Sequence, residues 1–246
     1  MRIVGWNIRA GGGRRAEGIA AQLAAWRPDL VVLSEFRGGQ ASRSIAGALA
    51  EQGLAWQRAS ADARQPSVNA LLVASRWPLR RLPTLAPPSD PCRWLPVRVA
   101  APQPFRLLAV HVPNRATGRK VAFLETIAAQ AERWHGHAAM VIGDTNTGRI
   151  GLDEQAAAFN AYEDAWMRRM GATGWADAFR HQRGGRREFT WYSPNAGNGF
   201  RLDQAFVQAP LLARLASFEH RWGGSATVNR SELSDHAAMV LGFSPR

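Results

Sequence analysis

Cysteine is almost missing from this chain. Cys92 stands alone among 246 residues, which excludes an internal disulfide and a thiolate metal cluster and suits a reducing compartment. Lysine is equally scarce, Lys120 being the only one. Long apolar runs are absent as well. The opening segment Met1-Arg-Ile-Val-Gly-Trp-Asn-Ile8 is too short a run for a secretion signal, and no later run reaches the length that spans a bilayer. The expectation is a soluble, cytoplasmic protein without a membrane segment. Acidic residues are outnumbered, 19 against 31 basic, for a net charge of +12 and a pI near 11.5. Nearly all of that excess is arginine. Such a field favours polyanions, nucleic acid first among them, although an arginine-rich codon composition would leave part of the same bias.

What is present is enough apolar material, 46% of residues, for a sizeable core. No low-complexity segment or short repeat interrupts it. The proline-dense stretch Leu82 to Cys92 reads as an irregular loop, since strand patterns resume on both sides. One domain over residues 1–246, with two sheets, is the most economical organisation.

The stretch that organises the chain is Ala139-Met-Val-Ile-Gly-Asp-Thr-Asn-Thr-Gly148. Four apolar residues make a short buried strand, and Gly143 opens it into a loop beginning at Asp144 and Asn146. An Asp beside an Asn at a strand end can hold a water and take up its proton, though the same pair is common turn chemistry. Other segments repeat this form. Arg2 to Ile8 has strand character and leaves Asn7 near its carboxyl end. Leu30-Val-Val-Leu33 is followed by Ser34-Glu35-Phe36, where a buried carboxylate needs a partner, a cation or a polar cleft. Phe105 to His111 delivers His111-Val-Pro-Asn114 to a loop.

Between these, Arg14 to Trp26, Ala41 to Glu51, Ala116 to Trp134 and Gln155 to Met170 carry helical spacing, the third with Val121, Leu124, Ile127, Ala128 and Ala131 on one face. Leu54 to Ala59, Asn69 to Ser75, Trp94 to Ala100, Glu188 to Tyr192 and Leu212 to Arg221 read as strands. Arg201 to Val207 is a strand with Asp203 in its interior. Ser193 to Gly199 reads as a tight hairpin loop, and Trp175 to Phe179 as a short turn. Ser234-Asp235-His236 precedes the final strand, Ala237 to Leu241. His135 and His137, in a helix-to-strand turn, read as surface residues.

Collected, the polar residues are Asn7, Glu35, His111, Asn114, Asp144, Asn146, Asp203, Asp235 and His236. Carboxylate and amide oxygens in such number are what a hard cation needs. In their order, through Trp-Asn-Ile, Ser-Glu-Phe, His-Val-Pro-Asn, Gly-Asp-Thr-Asn, Arg-Leu-Asp and Ser-Asp-His, the sequence resembles the endonuclease/exonuclease/phosphatase superfamily from Met1 to Phe243. The pair Gly143-Asp-Thr-Asn146 and Ser234-Asp-His236 is the specific part of the match.

The resemblance implies an α+β fold, a four-layer α/β/β/α sandwich of two packed, mainly antiparallel sheets flanked by helices, with the active site at one edge. It implies a metal-dependent phosphoester hydrolase. In that pattern Glu35 is the principal ligand of Mg²⁺, with Mn²⁺ as the alternative ion, and Asn7 and Asp235 complete the metal environment. Asp144 orients or deprotonates the attacking water, aided by Asn146. His236, held by an acidic partner in the position of Asp203, bonds the scissile phosphate.

Within the superfamily, the Arg201-Leu-Asp203 and His111-Val-Pro-Asn114 stretches most resemble the exonuclease III and abasic-site endonuclease branch. That implies action on DNA, and a monomer is the expectation. Asn114 would contact phosphate, Arg115 is a candidate backbone contact, and Trp191, Phe200 and Leu202 would line a pocket for a base-less sugar, where the alternative is ordinary core packing. One position departs. The branch usually carries tyrosine where this chain has His111, whereas phosphatases, lipid phosphodiesterases and the pancreatic deoxyribonuclease type carry histidine, which could serve as a general acid. Three functions are therefore carried forward: a DNA phosphodiesterase acting at abasic sites or 3′ ends, a phosphatase or lipid phosphodiesterase of the same superfamily, and a nucleic-acid-binding protein without catalysis.

Overall fold

Apolar runs such as Leu30-Val-Val-Leu33 and Ala139-Met-Val-Ile142 have no polar alternation because both faces of these strands are buried. Leu30 and Val32 point into a core between two sheets, while Val31 and Leu33 point into a separate core beneath helices. The computed structural model describes residues 1–84, 86–224 and 231–245. In chain order it begins with β1 (Arg2–Asn7), α1 (Ala16–Trp26), β2 (Leu30–Phe36), α2 (Gln40–Glu51), β3 (Trp56–Ala59), β4 (Ala70–Ser75) and β5 (Leu79–Arg81). There follow β6 (Trp94–Val99), β7 (Phe105–His111), α3 (Lys120–Arg133), β8 (Ala139–Asp144), α4 (Ala161–Ala172), β9 (Trp175–Asp177) and α5 (Ala178–Arg183). The last elements are β10 (Trp191–Tyr192), β11 (Gly199–Phe200), β12 (Asp203–Gln208), α6 (Ala209–Leu212), β13 (Leu215–Arg221) and β14 (Ala238–Phe243).

Two six-stranded sheets result, ordered β13-β14-β1-β2-β4-β3 and β5-β6-β7-β8-β12-β9, with β10-β11 as a separate hairpin. Only β1–β2 and β7–β8 pair in parallel; the other pairings are antiparallel, as the sandwich requires. The sheets face one another across a core that includes Ile3, Val73, Val97, Leu107, Ile142 and Met239. A second core lies under α3 and α4, around Phe123, Ile127, Trp166 and Phe206. The third lies under α1 and α2, around Trp6, Ile19, Leu23 and Ile45. Four layers are thus built from three interfaces. No helix among the described residues is long and apolar enough to cross a membrane.

Several elements differ from the reading of the sequence. Val121 is 49% exposed, and Phe123 takes the buried place on α3. Residues 155–160 are not helical: Asn160 accepts from the Glu163 amide and Glu163 returns a bond to the Asn160 amide, a capping box that fixes the start of α4. Asp203 opens its strand instead of occupying its interior, and Glu188 to Tyr192 contributes only Trp191–Tyr192 to a ladder. Residues 175–179 form β9 and the start of α5, where Asp177 caps the helix through its carboxylate.

Candidate active site

Parallel pairing brings carboxyl ends together. Asn7 stands beside Ser34 at the end of β1 and β2, and His111 stands in register with Asp144 at the end of β7 and β8. Antiparallel β12 begins with Asp203 directly opposite Asp144. One edge of the sandwich therefore collects side chains from both sheets. Gly143 is essential to this meeting. Its φ is +146°, and a Cβ there would lie 1.9 Å from the Val110 carbonyl oxygen, so no other residue fits at the step before Asp144.

Backbone strain concentrates at the same edge. Of the five non-glycine described residues with positive φ, four are Arg9 (51°), Ala10 (53°), Glu35 (56°) and Asn146 (48°). Each such residue costs on the order of 1–3 kcal/mol and persists where its surroundings over-determine it. Glu35 is the extra residue of a bulge in β2, between the pairs Ser34–Leu71 and Phe36–Ala70. The bulge re-aims its side chain toward the edge. There the Ala10 amide donates to Glu35 Oε2 at 2.7 Å, and the Gly11 amide donates to the Glu35 carbonyl at 2.8 Å.

Asn7 ties the two sheets together chemically. Its Nδ2 donates to Asp144 Oδ2 at 2.9 Å and to Glu35 Oε1 at 3.3 Å, while its Oδ1 accepts from the Arg9 amide at 3.0 Å. The Asn146 amide donates to Asp144 Oδ1 at 2.9 Å, and Asn146 Nδ2 to the Val112 carbonyl at 2.8 Å. His111 Nε2 lies 3.6 Å from Asp144 Oδ2. His236 Nδ1 is 2.8 Å from Asp203 Oδ2. Asp235 Oδ2 is 3.9 Å from Arg9 Nε, and its Oδ1 is buried with no hydrogen-bond partner among the described residues.

Burial and charge set the protonation states. Burial raises Asp144 to about 7, with His236 opposing the shift and Asp203 adding to it. For His236, burial alone would lower the pKa, yet Asp203 and then Asp144 lift it to about 10, so the ring is an imidazolium at neutral pH. His111 goes the other way. Burial, then the Arg93 charge, pushes it well below the ordinary histidine value, so it is neutral. Ligand atoms of Asp144, Asp203 and His236 lie within 4.8 Å of one another. An imidazolium already bonded to Asp203 is nevertheless a poor metal ligand, and we read that group as a hydrogen-bonded relay.

Eight of the residues singled out from the sequence thus converge: Asn7, Glu35, His111, Asp144, Asn146, Asp203, Asp235 and His236. Asn114 and Arg115 lie on the exposed loop after β7. Arg115 is committed elsewhere, donating to Glu163 Oε2 and to the Ala158 carbonyl, both at 2.6 Å. Trp191 lines a cavity of about 200 Å³ together with Arg9, Tyr192, Pro194, Ser231 and Asp235. Its ring stands 6.5 Å from the His236 ring. Phe200 and Leu202 are buried, Phe200 against Trp191 at 5.9 Å and Phe159 at 6.1 Å.

Sequence reading missed Arg9, Tyr192 and Arg93. Arg93 closes a 3₁₀ turn, Pro91–Arg93, just before β6, and its charge reaches His111. Half-buried, Arg93 has no carboxylate at ion-pair distance among the described residues. Burial lowers its pKa, and Asp90, Asp144 and Glu35 act in the opposite sense. Nothing in its sequence surroundings, the end of a proline-dense loop, marks it.

Solved structures share this architecture at low identity. An AP endonuclease from Archaeoglobus fulgidus superposes with a TM-score of 0.82 over 100% of both chains at 17% identity. A 3′-5′ exonuclease from Neisseria meningitidis gives 0.76 over 99% of both at 21%, and a Neisseria 3′ phosphatase bound to a product DNA hairpin gives 0.77 over 99% of both at 22%. No curated protein matches by sequence. Residues 4–236, however, match the profile of the Endonuclease/Exonuclease/phosphatase family, and the chain belongs to that family of phosphoester hydrolases.

Proposed function

We propose that this chain is a Mg²⁺-dependent DNA phosphodiesterase that acts as a monomer at abasic sites or 3′ ends. The observation that carries the reading is the pairing of a buried carboxylate, Asp144, with an Asp203-held imidazolium, His236, beside the aromatic-walled cavity that Trp191 borders. A base needs a neighbour that stabilises the charge its reaction creates, and these two stand at one strand end. The solved neighbours, an AP endonuclease, a 3′-5′ exonuclease and a 3′ phosphatase bound to a product DNA hairpin, support DNA as the substrate class.

The donor set fits a hard cation. Glu35 and Asp235 present carboxylate oxygens, Asn7 carries a carboxamide oxygen that here accepts from the Arg9 amide, and the buried Oδ1 of Asp235 has no hydrogen-bond partner among the described residues. Those three residues would hold Mg²⁺, with Mn²⁺ as the alternative, and the ion would supply charge neutralisation on the phosphate. This chain's own residues do the rest. Asp144 takes the proton of the attacking water, its carboxylate held in place by the Asn7 side chain and the Asn146 amide. His236 donates from Nε2 to a phosphate oxygen where negative charge accumulates. His111, being neutral, is suited to donate a hydrogen bond and not to deliver a proton as an acid. Arg93, a guanidinium with no carboxylate at ion-pair distance among the described residues, supplies positive charge for the phosphate.

The runner-up is hydrolysis of a small phosphomonoester or lipid head group, which the histidine at position 111 favours. Labelled duplex with one abasic analogue, intact duplex and a generic phosphomonoester, each with Mg²⁺ and with chelator, separate the two. The proposal expects metal-dependent incision at the lesion, abolished in Asp144→Asn with the fold intact. Hydrolysis of the phosphomonoester alone would hand the site to the runner-up.

A further inference from the structure

The arginines of this chain fall into two populations. Some are held at a carboxylate: Arg64 at Asp62, Arg76 at Asp29, Arg119 at Asp90, Arg169 at Glu125 and Arg221 at Glu219. Others have none at ion-pair distance among the described residues, and three of these stand in register on one sheet. Arg80 of β5 lies directly opposite Arg98 of β6, and Arg98 lies directly opposite Arg106 of β7. Opposed residues of an antiparallel pair carry their side chains on one face, Cβ atoms about 4.5–5.5 Å apart. Three guanidinium groups therefore form a row across three strands.

The row is on the outside of its sheet, because the alternating neighbours Val97, Val99, Phe105 and Leu107 all point into the core between the sheets. Arg80 and Arg98 are exposed. Arg106 is half-buried and anchored, its guanidinium 6.0 Å from the centre of the Trp134 ring. Among the described residues none of the three has a carboxylate at ion-pair distance. The row continues round the open edge of the sandwich. Arg81 donates to the Ala59 carbonyl at 3.3 Å and Arg58 to the Gln57 carbonyl at 2.8 Å, neither to an acid. Trp56, two residues from Arg58 on the same face of edge strand β3, is 47% exposed.

Like charges set opposite one another across strands are destabilising, and the usual relief is an interposed acid. Among the described residues no acid pairs with any of the three, and an anion from outside the chain would supply the relief. We propose that Arg80, Arg98 and Arg106 form a docking strip for the phosphate backbone of a nucleic acid, separate from the active site. Guanidinium groups suit phosphate oxygens, and exposed Trp56 offers a surface on which an unpaired base can stack. Arg106 and His111 lie at opposite ends of β7, five residues apart, about 17 Å at the rise of a strand. A small substrate in the active site leaves the strip empty; a long one, or a second segment, fills it. The strip would keep the protein on nucleic acid while the active site engages or releases a target.

The test is binding of a long, lesion-free labelled duplex and single strand in chelator, measured by anisotropy across a salt series. The comparison is wild type against Arg80→Gln/Arg98→Gln, whose changed side chains are exposed. The strip predicts that the slope of log affinity against log salt becomes shallower by about 2, since each phosphate contact contributes roughly 0.9, and that affinity drops on the order of tenfold. Arg80→Lys/Arg98→Lys should recover most of both, and hydrolysis of a short substrate should not change in either variant. An unchanged slope and affinity overturns the strip. So does a variant that loses binding to phosphatidylserine vesicles while its DNA binding stays the same, which would assign the face to a lipid surface. The outcome is independent of the proposed function: a protein that incises nothing can still show the slope, and one that incises abasic sites can lack it.

Discussion

Asp144 is the residue from which the site is best understood, because its surroundings pull in two directions. Burial raises it to about 7, which would leave a base partly protonated, while Asn7, Asn146 and the charge of His236 favour the ionised form. A cation on the Glu35 side would lower it further. The His236 charge in turn rests on Asp203. Replacing Asp203 with Asn keeps the shape but removes the charge that holds the imidazolium, so kcat should fall by roughly 10²–10³. Steady-state kinetics beside near-ultraviolet circular dichroism checks this, and a kcat within a few-fold of wild type would remove His236 from the role given to it. At this scale the sequence was most legible. Asn7, Glu35, Asp144 and His236 stand out because polar residues are costly beside buried strands. Arg93 could not be found that way, since it closes a short turn after a proline-dense loop and its neighbours come from distant parts of the chain.

The elements that hold these residues depend on a second buried network. Arg201, wholly buried, donates to Asp153 Oδ1 at 2.8 Å and Oδ2 at 3.0 Å, and to Asp177 Oδ2 at 2.6 Å; Arg180 also pairs with Asp153. The Arg-Leu-Asp stretch thus begins with a structural arginine that locks the chain just before Asp203. Removing one partner leaves a buried charge, and Asp153→Asn should cost about 3–5 kcal/mol in chemical denaturation. Burial alone would raise the Asp153 pKa, but Arg201 and Arg180 overcome it and hold it low. A carboxylate depressed in the folded state contributes stability above its unfolded pKa of about 3.9, lost as pH falls through the folded value. The wild type should therefore lose stability below about pH 4 more steeply than Asp153→Asn; parallel curves would show that the ion pair contributes little. Helix α4 offers a smaller test, Asn160→Ala, which removes the capping box at a cost of about 0.5–2 kcal/mol. A melting temperature unchanged within error would contradict that account. Its start was misread from the sequence because helical spacing extends upstream while the cap, a side-chain contact, fixes the boundary. The strand Leu79–Arg81 escaped notice for a related reason, three residues being too few to show a period.

Across the whole molecule, the apolar patterns indicated one domain with two sheets, and the four-layer architecture followed from the resemblance carried by the strand-end motifs. The parallel meetings of β1 with β2 and of β7 with β8 were not readable. They are long-range pairings, yet they decide that six strand ends form one site. Charge also has a molecular pattern. Part of the net +12 is organised by strand register: Arg80, Arg98 and Arg106 stand opposite one another across three strands, with no carboxylate at ion-pair distance among the described residues. The division of labour at the active edge is the central claim, with the cation on the Glu35 side and the water on the Asp144 side. Titration of Mn²⁺ followed by electron paramagnetic resonance, on wild type, Glu35→Gln and Asp144→Asn, tests it most directly. The account predicts saturable binding in the wild type, a loss of roughly 10–100-fold or more in Glu35→Gln, and an affinity in Asp144→Asn close to that of the wild type. Equal Mn²⁺ affinity in wild type and a folded Glu35→Gln would contradict it.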